Sequence, residues 1–229
     1  IFLNLIDVFK TKGWEIPSDT SGMESRFNRF CERLSILDTK EQQLVIELTR
    51  RFTDISGNEY LQLIIKLLNR IRDEGTNVFS ATKKFFILPL VAPQDFNRTK
   101  SSSFVWYYFR DELVKYNPLF AGKNLVYCDI EKASWISNLK TDEMVILVDD
   151  YVGSGETAVG AIKWLVDSFK TDPKQIVILS IAAQEFGVKH ISQETGVVTY
   201  SYYQFKRGIS DFYSGDQRDD YLETMNGIE

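Results

Sequence analysis

Between Met144 and Thr157 an apolar run, Met144-Val-Ile-Leu-Val148, ends in two adjacent carboxylates, Asp149 and Asp150. It then passes through Tyr151 and Val152 into Gly153-Ser154-Gly155-Glu156-Thr157. The apolar run predicts a buried strand, and the amphipathic stretch that Thr157 opens predicts a helix. In an open parallel sheet ligands bind outside the carboxyl ends of the strands, which is where this small-residue loop falls. Glycines let the backbone approach a ligand closely and adopt positive φ. The amides from Gly153 to Thr157, with the positive end of the following helix, then make a cradle for a phosphate. Two carboxylates beside that cradle are not phosphate ligands. They suit sugar hydroxyls, a metal ion, or positive charge developing on a ribose ring. The plainer reading of the same residues is a pair of turn-forming aspartates and a flexible Gly-Ser-Gly connection.

The elements that must position this segment are short apolar, β-branched runs alternating with helical stretches. Strands are expected at 85–92, 125–128, 144–148, 175–183 and 197–205, and amphipathic helices near 102–116, 130–140, 157–170 and 187–195. Strand–helix alternation with near-continuous hydrophobic strands is the pattern of a parallel sheet covered on both faces. Before residue 76 the chain reads as helices. Three Ser/Asp-x-x-Glu signatures, Ser21–Glu24, Asp38–Glu41 and Ser56–Glu59, mark helix starts by capping-box logic, with Asp as a variant first member. Apolar stripes follow each: Met23, Phe27, Phe30, Cys31 and Leu34; Leu44, Val45, Leu48 and Phe52; Tyr60, Leu61, Ile64, Leu67, Leu68 and Ile71. The expected division is therefore an N-terminal helical region, 1–75, and an α/β domain, 76–229, with Gly75-Thr76-Asn77 between them.

Length and composition bound the function. The 229 residues suffice for one large domain or one domain with an appendage, and 44% hydrophobic content excludes general disorder. A net charge of −5 argues against gripping nucleic acid through bulk positive charge. Cys31 and Cys128 have no CxxC spacing, so they form neither a disulfide framework nor a zinc site, and a reducing, cytoplasmic setting is expected. A single histidine, His190, excludes a multi-histidine metal centre. The longest apolar run, 85–93, is about half of the roughly 20 residues that a membrane-spanning helix needs. The opening IFLNLIDVFK lacks the basic stretch and cleavage site of a signal peptide, and with no initiator methionine the chain is expected to be a piece of something longer.

The segment Val145-Ile-Leu-Val-Asp-Asp-Tyr-Val-Gly-Ser-Gly-Glu-Thr157 resembles the phosphoribosyl-pyrophosphate motif of the type I phosphoribosyltransferases: four hydrophobic residues, two acids, and a small-residue loop ending in Thr or Ser. The resemblance implies a phosphoribosyltransferase-like five-stranded, mainly parallel α/β sheet with helices on both faces, preceded by the helical region. It gives Asp149 and Asp150 the catalytic role of contacting the ribose 2′ and 3′ hydroxyls, and it gives Val152, Gly153, Ser154, Gly155, Glu156 and Thr157 the 5′-phosphate. Mg²⁺ is implied as cofactor, held indirectly by Asp149 and Asp150 through hydroxyls or water. The expected ligand is phosphoribosyl pyrophosphate or a related ribose 5-phosphate nucleotide, with the acceptor unidentified.

Several residues depart from the family pattern. Tyr151 and Gly153 replace the usual small aliphatic and Thr/Ser/Ala types, and Glu156 puts a carboxylate in a phosphate loop, where it must face solvent or pair with a base. The family's first loop contacts pyrophosphate and is usually glycine-rich with a basic residue. Here it reads Pro93-Gln-Asp-Phe-Asn-Arg-Thr-Lys-Ser-Ser-Ser103, leaving Arg98, Lys100 and Ser101 to do that work at the start of the next helix. The N-terminal helices either supply the hood that receives the acceptor or dock a protein partner. This layout looks like the divergent phosphoribosyltransferase-like proteins of bacterial antiphage systems. The departures also leave a second reading open, a non-catalytic sensor that binds the same ligand. Outside the motif, His190 is expected to be a packing or surface residue. The aromatic run 104–109 is expected to be sheet-packing rather than a base-stacking platform, and Lys206 and Arg207 lie at the ligand edge of the last strand.

Overall fold

The computed structural model describes residues 1–17, 25–75, 77–96, 98, 100–129 and 134–228. Ten helices are placed among them: α1 (Phe2–Lys12), α2 (Arg26–Ser35), α3 (Thr39–Arg51), α4 (Tyr60–Asp73), α5 (Asn77–Ala81), α6 (Ser101–Tyr108), α7 (Glu112–Lys115), α8 (Glu156–Phe169), α9 (Glu185–Thr195) and α10 (Gly215–Ile228). The five strands are β1 (Lys84–Pro89), β2 (Asn124–Tyr127), β3 (Glu143–Val152), β4 (Ile176–Gln184) and β5 (Val198–Phe205). They form one all-parallel sheet in the order β2-β1-β3-β4-β5. From β1 the chain runs outward to β2, returns to β3 on the other side of β1, and then continues to β4 and β5. The segments leaving β1 and β3 therefore part in opposite directions, which is the topological switch point where open α/β sheets bind ligands.

The central strands β1, β3 and β4 are buried almost throughout because helices cover both faces. Ile64, Leu67, Leu68 and Ile71 of α4, with Val105 and Phe109 of α6 and its C-cap, pack on the face carrying Ile87, Ile146, Val148 and Leu179. Val159, Ile162 and Leu165 of α8 and Ile191 of α9 pack on the opposite face, with Phe86, Val145, Leu147 and Ile178. This is the five-stranded parallel α/β architecture, with helices on both faces, expected from the sequence.

By its contacts the chain divides into two units, one of residues 55–206 and one in which residues 1–54 join 207–229. The division falls well before the expected boundary at 75, because the apolar stripe of α4 belongs to the core of the sheet. In the smaller unit α1 and α10 pack on α3, and Phe9 sits at the centre of a cluster with Leu5, Phe27, Leu34 and Ile46.

Local capping explains several boundaries. The boxes Asp38–Glu41 and Ser56–Glu59 form as expected, whereas Ser21–Glu24 lies outside the described residues and Ser25 caps α2 by accepting from the Asn28 amide. Phe52, placed on a buried stripe by the sequence, is instead exposed, because the chain turns extended at the end of α3. The single helix expected over 102–116 is two, since Asp111 leaves the helical path and caps α7 by accepting from the Leu113 amide. Of the helix expected at 130–140, residues 130–133 lie outside the described residues. Residues 134–140 hold only a short tight turn, ended by Asn138 at φ 59°. Among the described residues no helix is long and apolar enough to cross a membrane.

Candidate functional site

Strand β3 does not stop at Val148. It continues through the acid pair to Val152, pairing Asp149 with Ser180 and Tyr151 with Ala182 of β4. Side chains alternate along a strand, so Asp149 and Asp150 leave the sheet on opposite faces. Asp149 follows Val145 and Leu147 toward α8, and Asp150 follows Ile146 and Val148 toward α4.

On the first face a cavity of about 230 Å³ is lined by Leu90, Asp149, Tyr151, Val152, Gly153, Ser154, Gly155, Thr157 and Ala158. The expected phosphate loop is thus a concave surface with one of the two acids in its wall. Its shape depends on two glycines. Gly155 sits at φ 89° as the N-cap of α8, which carries no side-chain cap, so the first amides of that helix are left to the loop and its ligand. A Cβ on Gly155 would also come within 2.8 Å of the Gly187 carbonyl oxygen. In turn, a Cβ on Gly187 of α9 would lie 2.0 Å from the carbonyl oxygen of Gly153. Gly187 thus lets α9 buttress the loop, a role that no motif announced.

Asp149 is 9% exposed. Burial holds its carboxyl well above the usual carboxylate range, and the neighbouring Asp150 carboxyl pushes the same way against the backbone bonds from Asp150 and Tyr151. One of those bonds is from the Asp150 amide to Asp149 Oδ1, at 2.9 Å. On the other face the Tyr60 hydroxyl donates to Asp150 Oδ2 at 3.4 Å. A paired, partly desolvated acid site of this kind favours any ligand that brings positive charge or hydroxyl donors. Magnesium suits the donor set only in one way. No group of three or more metal-ligating side chains gathers among the described residues, and Mg²⁺ is commonly held by one or two carboxylates plus substrate phosphates. Asp149 and Asp150 fit an ion that arrives with its ligand.

The other expected site residues fall around this centre. Glu156 is not part of the cavity wall. Its side chain is 76% exposed, and Oε1 lies 3.1 Å from Nε2 of His190, whose ring is parallel to Phe186. The loop carboxylate thus faces solvent, with the chain's one histidine set beside it by α9. In the first loop Asp95 is buried, and it takes both expected pyrophosphate cations: Lys100 Nζ at 2.9 Å from Oδ2 and Arg98 Nη1 at 3.4 Å from Oδ1. Ser101 opens α6 and is exposed, while the next hydroxyl, Ser102 Oγ, is buried without a hydrogen-bond partner. Lys206 is exposed at the end of β5, and Arg207 lies in the other unit, held by Asp211 at 2.7 Å. In the aromatic run Val105 and Phe109 enter the core and Trp106 donates to the Ile87 carbonyl at 3.0 Å, leaving Phe104 and Tyr107 outside.

The PRTase-CE family model matches residues 28–223. The chain belongs to the PRTase-CE family. The match spans both units and includes the whole sheet, the acid pair and the loop. No curated protein matches the chain. Among solved structures, adenine phosphoribosyltransferase of Giardia lamblia with 9-deazaadenine is 14% identical, covering 64% of this chain and 80% of that one at a TM-score of 0.39. Orotate phosphoribosyltransferase of Aeropyrum pernix is 14% identical, with 72% and 75% covered and a TM-score of 0.36. Hypoxanthine-guanine phosphoribosyltransferase of Schistosoma mansoni with IMP is 13% identical, with 67% and 69% covered and a TM-score of 0.37.

Two outcomes are expected of this PRTase-CE site. Gly187→Ala forces a Cβ into the Gly153 carbonyl, so it costs about 1–3 kcal/mol in urea unfolding and weakens inorganic phosphate binding by calorimetry. The second concerns pH. A carboxyl whose folded pKa is raised contributes its full stability in acid and loses it as pH rises through that value. Asp149→Asn, which keeps the acceptor but not the charge, should therefore melt higher than the parent at pH 7. The gap should close as the pH is lowered toward the ordinary carboxylate range, as followed by differential scanning calorimetry.

Proposed function

We propose that this PRTase-CE protein binds phosphoribosyl pyrophosphate, or a related ribose 5-phosphate nucleotide, and transfers or cleaves its phosphoribosyl group. The observation that carries this reading is the cavity whose wall combines the Gly153–Thr157 loop with buried Asp149. The loop amides and the α8 terminus hold the 5′-phosphate, and Asp149 and Asp150 accept from ribose hydroxyls. In the reaction the bond from C1 of the ribose to the diphosphate oxygen breaks and its electron pair leaves with diphosphate. A lone pair of the acceptor, or of water, forms the new bond to C1, and the acceptor gives up a proton. Positive charge builds on the ring as the bond breaks, and the two adjacent carboxylates stabilise it electrostatically. Mg²⁺, when it comes with the ligand, neutralises charge on the departing diphosphate.

A second reading, a sensor that binds without turnover, is favoured by one observation: Asp95 already engages Lys100 and Arg98, the cations a departing diphosphate needs. Thermal shift and calorimetry with phosphoribosyl pyrophosphate and Mg²⁺, beside ribose 5-phosphate, AMP and NAD, test the site. The expected result is a magnesium-dependent stabilisation of about 2.7 kcal/mol at a hundredfold excess over Kd, lost in Asp149→Asn/Asp150→Asn. No response to any of these ligands overturns the assignment. Release of diphosphate separates the enzyme from the sensor, which binds and releases none.

The helical flank and the Arg-Thr-Lys-Ser-Ser first loop support placing the activity in a bacterial antiphage system. Phage plating on cells carrying the wild-type or the double-asparagine protein should then differ by orders of magnitude. Equal plating removes that role.

A further inference from the structure

Because Asp149 and Asp150 leave β3 on opposite faces, the two acids meet different neighbours. Asp149 belongs to the loop cavity, whereas Asp150 is met by a side chain from α4. We propose that Tyr60 is a specificity-determining residue that aims Asp150 at a ribose hydroxyl, an inference that rests on reading the site as one for ribose 5-phosphate.

Tyr60 is held at three points. The Ser56–Glu59 capping box fixes the path of the chain into α4, of which Tyr60 is the first residue. Its ring meets the Tyr108 ring edge-on, with centroids 6.1 Å apart and planes at 60°. Tyr108 is itself tied back to the same turn, its hydroxyl donating to the Gly57 carbonyl at 3.3 Å. The result is a closed circuit from Gly57 through Tyr108 and Tyr60 to Asp150, built from α4, α6 and β3. The phenol is the donor to the Asp150 carboxylate. The bond to Oδ2 is 3.4 Å, long beside the roughly 2.5–2.7 Å of a tight hydroxyl–carboxylate bond. A phenol at that distance orients the carboxylate without using up its acceptor capacity, which spans about four lone-pair sites. The carboxylate keeps capacity to accept from a ligand hydroxyl, in an orientation that Tyr60 and the neighbouring Asp149 carboxyl define. Without the phenol the carboxylate is free to rotate, and a sugar with the hydroxyl loses its advantage over one without it.

The test compares ribose 5-phosphate, 2-deoxyribose 5-phosphate and inorganic phosphate by calorimetry on the wild-type chain and on Tyr60→Phe, which keeps the ring and its contact with Tyr108. The expected result is a fall of about three- to tenfold in the preference for ribose over deoxyribose 5-phosphate, with phosphate affinity unchanged. An unchanged preference overturns the proposal. An equal weakening of all three ligands also does, since it marks a merely structural role. If the wild-type protein binds phosphate but does not distinguish the two sugars, the site stands and the role of Tyr60 falls. If it binds none of the three, the reading of the site fails and takes this inference with it.

Discussion

A carboxylate buried in the middle of an apolar sheet governs the rest of the site. Asp149 continues a strand whose preceding residues, Met144 to Val148, are all core, and it pairs with Ser180 of β4 one residue beyond the last β1 pair, Pro89 with Val148. Desolvating a carboxylate costs free energy unless something answers its charge. The chain itself answers in part, through the Asp150 amide, and the remainder appears as a raised proton affinity. Such a site is held away from its own stability optimum, a common condition of sites that must bind charge or hydroxyls tightly. Its position is the switch point of the sheet, where the connections part and the loop cavity opens.

The loop beside it is shaped from outside as much as from within. Gly155 supplies the left-handed residue, but it is the missing side chain at Gly187 that lets α9 come down onto the loop backbone. The same helix sets His190 Nε2 3.1 Å from Glu156 Oε1, beside the loop. Two departures from the family pattern thus share one element. In the first loop the Asp95 cluster shows the opposite arrangement, with basic residues already answered by an acid of their own loop.

The strands were legible in the sequence because each is an apolar run bounded by turn formers, and all five appear within a few residues of where the runs lie. The acid pair and its glycine loop were legible because their chemistry is local. What could not be read was whatever depends on contacts far apart in the chain. The extension of β3 past Val148 is decided by β4, whose Ser180 and Ala182 pair with Asp149 and Tyr151, and it splits the two acids between faces. The approach of Tyr60 to Asp150 spans 90 residues and has no periodic signal. Helix α4 shows the same limit: its stripe announced burial, but not that the partner was the sheet. The break at Asp111 was legible in principle, since an aspartate two residues before Leu113 is a capping type, but the aromatic run before it reads as a continuing helix.

The division of the chain has a consequence for how the protein comes into being. Residues 55–206, which hold the sheet and the loop, are contiguous, whereas the smaller unit is assembled from both flanks, with α10 packing on α3. During synthesis the first 54 residues emerge before residues 207–229, which share their unit, exist. All five strands have been made once β5 is complete, whereas α10 of the smaller unit comes only with residues 207–229. Until then Leu44 and its neighbours on α3 lack the helix that packs beside them. The ribosome thus delivers the strands and the glycine loop first and completes the unit built from both flanks last.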